Sequence, residues 1–236
     1  HTTAGVSALV VAIMMGARQG FPDKPMIPHS PALTMVGAAL LWVGWFGFNG
    51  GSALAATDDA SSAIINTHVA ASAAALVWLL IERIGFGKTT MVGWATGAIA
   101  GLAAVTPASG FIGPEGALAI GFTSGALCYF ASTAVKKRFA YDDSLDVFGI
   151  HAIGGAWGAL ATGLFVTVGG TGLLVGNFHQ VWVQLVGIGA AGAYSFIVTY
   201  ILVIIIDKTI GFRVNDEDEE MGLDTTQHGE TGYNLV

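Results

Sequence analysis

Charge is what this 236-residue chain has least of. Only 11% of its residues are Asp, Glu, Lys or Arg, while 53% are hydrophobic. A soluble domain carries roughly a quarter charged residues, so soluble enzyme activity and nucleic-acid binding are excluded on composition and the shortfall points to lipid. Cysteine is nearly missing too. Cys128 stands alone inside an apolar run, which rules out an internal disulfide and says little about redox compartment. The opening segment lacks a basic n-region, so no cleavable signal peptide is recognisable. The net charge of −7 is not a surface for a basic partner, because half of the 16 acids lie from Asp207 onward, in a C-terminal tail.

What the chain does have is long apolar runs. Seven can be marked, at about 1–17, 32–52, 60–81, 90–108, 115–135, 146–169 and 180–206. The last six are long enough to span a bilayer as helices. The breaks between them carry turn chemistry. Pro22, Pro25, Pro28 and Pro31 recur every third residue and forbid a helix there. Gly85-Phe86-Gly87, Gly113-Pro114 and Gly169-Gly170-Thr171-Gly172 mark others. The nine basic residues fall in four groups: Arg18 and Lys24; Arg83 and Lys88; Lys136, Lys137 and Arg138; Lys208 and Arg213. Each group follows every second run and the intervening connections hold none, so the positive-inside rule puts these groups, and the acidic tail, in the cytoplasm. The chain therefore reads as all-α, a polytopic membrane helix bundle over 1–207 with a cytoplasmic tail over 208–236.

Two histidines sit deep. His151 lies roughly 12 Å along a helix beyond Asp143, near the centre of a hydrocarbon layer about 30 Å thick. An ionisable group at that depth is a functional-site hypothesis by default. Asp142, Asp143 and Asp146 ahead of it read as start-of-helix residues favoured by the helix dipole. His1 opens a helix that reaches Arg18 only about 25 Å later, so a terminal amine there would lie within the membrane, and the chain is expected to be the C-terminal part of a longer protein. If the two imidazoles meet, one ring can donate to the other and share a proton. A metal would want a third ligand, and none lies at that depth. His29, His179 and His228 fall in connections or the tail, where a solvated imidazole is expected, and His68 reads as a packing histidine. Gly93, Gly97 and Gly101, and Gly154 and Gly158, are four apart and read as close helix packing. Gly187-Ile188-Gly189-Ala190-Ala191-Gly192 fits a dinucleotide fingerprint, but lies inside an apolar run without the strand and acidic partner that give it meaning. Trp45, Phe48 and Ser52 share a helix face near the external end. They suit either a cation held on aromatic faces or an interfacial aromatic belt. Asp216, Glu217, Asp218, Glu219 and Glu220 read as a solvated run.

Four stretches together resemble the ammonium transporter (Amt/Mep/Rh) family, in its Amt branch. They are Gly44 to Ser52, Gly97 to Leu102 with Thr106 to Gly110, Asp146 to His151, and Gly222-Leu223-Asp224 with His228-Gly229-Glu230. The resemblance implies a fold of eleven transmembrane helices, usually trimeric, of which this chain would carry the end of the fifth and then the sixth to the eleventh. It implies transport of ammonium or ammonia across a cell membrane, with no enzyme activity and no cofactor. Carried over residue by residue, His1 and His151 match a pore-lining histidine pair, Phe48 a gate and Ser52 an outer recruitment site. Leu41, Trp45 and Val147 match pore-lining positions. In the tail, Gly222, Leu223, Asp224, Thr226, His228, Gly229, Glu230 and Tyr233 match a regulatory segment that packs under the trimer. The partner implied is a signalling protein of the PII class. An ammonium sensor on the same scaffold is the alternative reading, and a channel for another small neutral gas a third.

Overall fold

A computed structural model describes residues 1–24 and 26–232 of the chain. Among them there is helix and no strand. The order is α1 (Thr2–Met15), α2 (Pro31–Gly51), α3 (Asp58–Phe86), α4 (Met91–Val105) and α5 (Pro114–Phe130). α5 runs on through a π-helical turn, π1 (Ala131–Val135), into the short α6 (Lys136–Phe139). A second π turn, π2 (Phe148–Ile153), leads directly into α7 (Gly154–Phe165). Then follow α8 (Phe178–Ile210), α9 (Asp216–Met221) and α10 (Leu223–His228).

Local chemistry sets the ends. Ser30 caps α2, its hydroxyl accepting from Leu33 N with Pro31 in the first turn. Thr90 caps α4 in the same way through Gly93 N, at 2.8 Å. Gly87, at φ 72°, turns α3 off in the left-handed conformation that glycine tolerates best.

Among the described residues, five helical stretches are long and apolar enough to cross a membrane: Pro31–Gly51, Asp58–Phe86, Pro114–Phe139, Phe148–Phe165 and Phe178–Ile210. The run at 90–108, expected to be a sixth full span, is not. Its helix has 15 residues and stops at Val105, giving about 22 Å of length. The apolar pattern continues, but Pro107 has no N–H and cannot extend the helix. The turns that follow are buried in protein, where irregular backbone at membrane depth is tolerated. Ala108, Ser109 and Ile112 are at most 4% exposed, and Asn66 Nδ2 donates to the Ser109 and Ile112 carbonyls at 2.8 and 2.7 Å.

The centre of the bundle is a slab of α3, α4 and α5 built from small residues. Ala70, Ala71, Ala73, Ala74 and Ala75 of α3 are all buried. A Cβ on Gly101 of α4 or Gly121 of α5 would overlap the Ala70 carbonyl oxygen, one on Gly97 would meet Trp78, and one on Gly158 of α7 would overlap the Ala104 carbonyl. The glycine spacing thus lets backbones touch, which is how helices gain contact in lipid.

Regular helix is also not what leads up to His151. The apolar pattern over 115–135 and 146–169 predicts plain helices, yet each holds a π turn, π1 and π2, and these two pack on each other. The carboxylates ahead of π2 divide their roles. Asp143 Oδ2 accepts from Phe148 N at 2.7 Å and caps the element. Asp142 instead takes Arg18 in a two-pronged pair, with Nη2–Oδ1 at 2.7 Å and Nε–Oδ2 at 2.8 Å. Asp146, at φ 57°, accepts from Lys136 Nζ at 2.8 Å.

Candidate functional site

α1 and π2 bring His1 and His151 together. Their Nδ1 atoms are 3.1 Å apart and their ring centroids 5.1 Å. Two nitrogens at that separation form one hydrogen bond, so one ring donates through Nδ1–H and the other accepts. The donor ring then has a bare Nε2, and the acceptor ring carries its proton on Nε2. His1 Nε2 is buried, with no hydrogen-bond partner among the described residues.

α2 supplies one wall. Trp45, only 9% exposed, stacks on His1 at 5.3 Å with 22° between the planes. Phe48 meets the Trp45 edge at 6.0 Å and lies 6.5 Å from His1. The indole is held by a residue that the aromatic pattern did not single out: Trp45 Nε1 donates to Thr106 Oγ1 at 2.8 Å, and that hydroxyl donates to the Leu102 carbonyl at 2.7 Å. Its sequence signal is a place in the Thr106 to Gly110 stretch that carries the family resemblance, beside Pro107.

Two recesses flank the pair and succeed one another along α2. One, of about 460 Å³, is lined by His1, Leu40, Leu41, Gly44, Trp45 and Phe48 and is almost wholly apolar. The other, of about 280 Å³, has His151 in its wall, with Thr34, Leu41, Thr96 and Leu145 among the residues around it. Leu41 borders both. Thr34 and Thr96 donate their hydroxyls to Ser30 and Val92 carbonyls of their own helices, which leaves only lone pairs to offer a guest.

Not every expected residue joins the site. Val147 is half-buried at the start of π2 and lines neither recess. Ser52 is exposed, just past the last residue of α2, and donates to the Phe48 carbonyl at 2.7 Å. His68 is exposed with its ring against Trp42 and Phe46, at 5.5 and 5.9 Å. Among the described residues no cluster of three or more His, Cys, Asp or Glu could hold a metal ion.

The acidic run is not merely solvated. It forms α9, and Glu219 accepts from Gln19 N at 2.8 Å and from Arg213 Nη2 at 2.7 Å. Those two bonds, in that order, hold its carboxyl below the usual range. Arg213 also donates to the Met15 carbonyl at 3.0 Å, so α9 is tied to the end of α1. In α10, Thr226 Oγ1 donates to the Gly222 carbonyl at 3.1 Å, and Glu230 N donates to the Asp224 carbonyl at 3.0 Å. Leu223, His228 and Gly229 are exposed around them. Tyr233 lies outside the described residues.

A bundle of apolar helices around buried polar side chains, with a histidine pair between two recesses, defines a multi-pass membrane protein. Comparison gives its family. The Ammonium Transporter Family model matches residues 1–233, and the chain belongs to that family. It is 45% identical over 238 residues to an ammonium transporter of Bacillus subtilis, covering 99% of this chain and 58% of that one. It is 46% identical over 237 residues to ammonium transporter Amt1 of Archaeoglobus fulgidus, covering 99% and 60%. The chain thus spans less than two thirds of these relatives' lengths. Among solved structures, Mep2 of Saccharomyces cerevisiae superposes with a TM-score of 0.84 at 34% identity, over 92% of this chain and 53% of that one. A protein described as a sensor Amt protein superposes at 0.87 and 30%, over 96% and 57%. The relatives are named as transporters, not enzymes.

Proposed function

We propose that this chain forms part of a path that carries ammonium across a membrane by stripping a proton from it and passing ammonia beside His1 and His151. The observation that carries the reading is the Nδ1 contact of 3.1 Å standing between two recesses, one of them nearly free of polar surface. Burying an unpaired cation costs several kcal/mol even after relaxation, so a dry path rejects potassium. Ammonium escapes that barrier because desolvation favours its neutral form. The paired imidazoles suit ammonia, since one bare Nε2 can accept from it and one Nε2–H can donate to its lone pair. Outside the path, Ser52 spends its hydroxyl proton on the Phe48 carbonyl. Its remaining lone pairs, with the Trp45 and Phe48 faces, suit a cation that donates hydrogen bonds. Phe48 would act as the gate between, with Leu41 and Trp45 lining the path; Val147, expected to line it too, borders neither recess.

The test is His151→Ala in the full-length protein, assayed by ammonium uptake and by current on solid-supported membranes. Uptake is expected to fall about tenfold or to lose its selectivity over potassium. Unchanged uptake and selectivity would remove the pore role. Absence of charge movement in the parent protein would sink a proton relay through the pair while leaving ammonia passage standing.

The same reading divides the chain into a membrane part, 1–207, and a cytoplasmic regulatory tail, 208–236, of a protein in the cell membrane that works as a homotrimer. Regulation would act through Gly222, Leu223, Asp224, Thr226, His228, Gly229, Glu230 and Tyr233, with a PII-class protein as partner. The bonds from Arg213 to the Met15 carbonyl and from Gln19 N to Glu219 support it, because they join the tail to the end of α1 and the segment after it. A phosphate on Thr226 beside Asp224 would add negative charge and release the tail; unchanged activity in Thr226→Asp would remove that idea. A second reading, an ammonium sensor, is favoured by the likeness to the sensor Amt protein. Binding of ammonium without uptake would decide for it.

A further inference from the structure

We infer that Gly149 is a positioning residue for His151: its missing Cβ lets π2 lie directly on Ser132 of π1, and that contact sets where the imidazole points. The inference deepens the proposed function, on which its bearing on transport rests.

π2 is gripped from two sides. On the α5 side, a Cβ on Gly149 would overlap Ser132 Oγ and reach Ser132 N at 3.0 Å, and one on Gly154 would lie 3.1 Å from Cys128 Sγ. Cys128 and Ser132 are four apart, so they share a face that continues from α5 into π1. Cys128 Sγ also lies 3.8 Å from the Ile150 carbonyl, in donor geometry. On the α1 side, a Cβ on Gly5 would overlap the Ala152 backbone and one on Gly155 would lie 2.6 Å from His1 Cβ. Beyond the π turns, Lys136 Nζ fastens the loop through the Asp143 carbonyl and the Asp146 carboxylate, both at 2.8 Å.

A π turn inserts one residue into a helix and swings every later side chain around the axis. Its register must therefore be held by neighbours, because the insertion can otherwise migrate along the helix. His151 lies inside π2, two residues past Gly149. A one-residue shift of the insertion would rotate its ring by roughly 100°, away from His1. Ser132 is well placed as the stop. It is 8% exposed and its Oγ has no hydrogen-bond partner among the described residues, so it acts at this contact by shape. Alanine is a better helix former than glycine by about 1 kcal/mol, so harm done by Gly149→Ala would come from the contact and not from local propensity.

The experiment uses full-length protein with 15N-labelled histidine in lipid bilayers, read by solid-state NMR, alongside ammonium uptake. The parent protein is expected to show one proton shared between two Nδ1 atoms. Gly149→Ala should lose that signal and lower uptake about tenfold, within the range that a displacement near 1 Å can cause. The double variant Gly149→Ala with Ser132→Ala, which removes the overlapping oxygen, should recover most of both. A shared-proton signal that survives Gly149→Ala, or that stays lost in the double variant, overturns the inference, as does its absence from the parent protein. If Gly149→Ala does not accumulate in the membrane, Gly154→Ala makes a milder intrusion on the same seam. It should weaken the signal and be repaired by Cys128→Ala; an unaltered signal overturns the inference equally. A signal lost and restored as expected while uptake never changes supports the positioning role and instead overturns the transport reading.

Discussion

The slab of α3, α4 and α5 and the histidine site of α1, α2 and π2 beside it solve opposite problems. In the slab, glycine meets alanine and carbonyl oxygens touch what would be side-chain space, so almost nothing is left empty. Around His1 and His151 the packing leaves space: a recess of about 460 Å³ bordered by Trp45 and Phe48, and one of about 280 Å³ bordered by Thr34, Thr96 and Leu145. α4 takes part in both: Gly97 and Gly101 face the slab, while Thr96 and Ile99 face the smaller recess. An open path in a bilayer needs a wall that does not give way, and close-packed backbone supplies the stiffest wall. A change in the slab should therefore cost the fold, and a change at the recesses should cost function with the fold intact.

The strongest way to break this contrast is Gly101→Leu. Its Cβ alone would overlap the Ala70 carbonyl, and a leucine there forces α3 and α4 apart. The expected loss is about 3 kcal/mol, the upper end for overpacking, seen as aggregation in detergent and failure to reach the membrane. A Gly101→Leu protein with the parent's melting temperature would show that the slab is not rigid. His151→Ala is the counterpart. It leaves His1 Nδ1 without its partner, costing about 1–3 kcal/mol, yet the protein should still purify as a folded membrane protein. If His151→Ala aggregates as Gly101→Leu does, the site is part of the fold and the contrast fails.

How much of this could be read from the chain differs between the two regions for a physical reason. Lipid makes spans legible, because a charge in a span is costly and a run of 20 apolar residues stands out. The alternation of Arg and Lys groups and the glycines four apart follow from the same solvent. Depth was legible for His151 as well. That its ring would meet His1 was not written in any local pattern, since the two lie on separate helices and resemblance had to pair them. The π turns left no trace, because one inserted residue changes neither hydropathy nor composition over Ala131–Val135 or Phe148–Ile153. The apolar run at 90–108 concealed the end of α4 because Val105 and Ala108 are equally buried on either side of the break. The acids at 216–220 read as solvated in the sequence because charge patterning identifies exposure but not a backbone N–H, such as that of Gln19, waiting across the fold.

A smaller effect sharpens the contrast at the edge of the site. Thr106→Val keeps the shape at the end of α4 but removes the acceptor for Trp45 Nε1. A buried N–H left without a partner costs about 1–3 kcal/mol, and the indole gains freedom to turn off His1. Uptake should fall several-fold with melting only modestly lower, and Thr106→Ser, which retains the oxygen, should restore it. Loss in the Ser variant with none in the Val variant would mean that the methyl group, not the hydrogen bond, holds Trp45.

The smallest effect lies outside both regions, at the Arg18–Asp142 pair. Asp142 is almost fully enclosed, with 1% of its side chain exposed, whereas the Arg18 side chain is 41% exposed. The Arg18 hydrogen bond, partly opposed by burial, holds the Asp142 carboxyl below its ordinary value of 3.8. Because the folded carboxyl binds its proton less readily than the unfolded one, the pair stabilises the protein above about pH 4 and that contribution disappears as pH falls through the folded value. With one partner open to water, the gain is about 1 kcal/mol, the upper end for accessible pairs. Arg18→Gln should therefore melt a few degrees below the parent protein at pH 7, and the gap should close on acidification below pH 4. A gap that persists at pH 2 would assign the effect to packing of the arginine stem rather than to its charge.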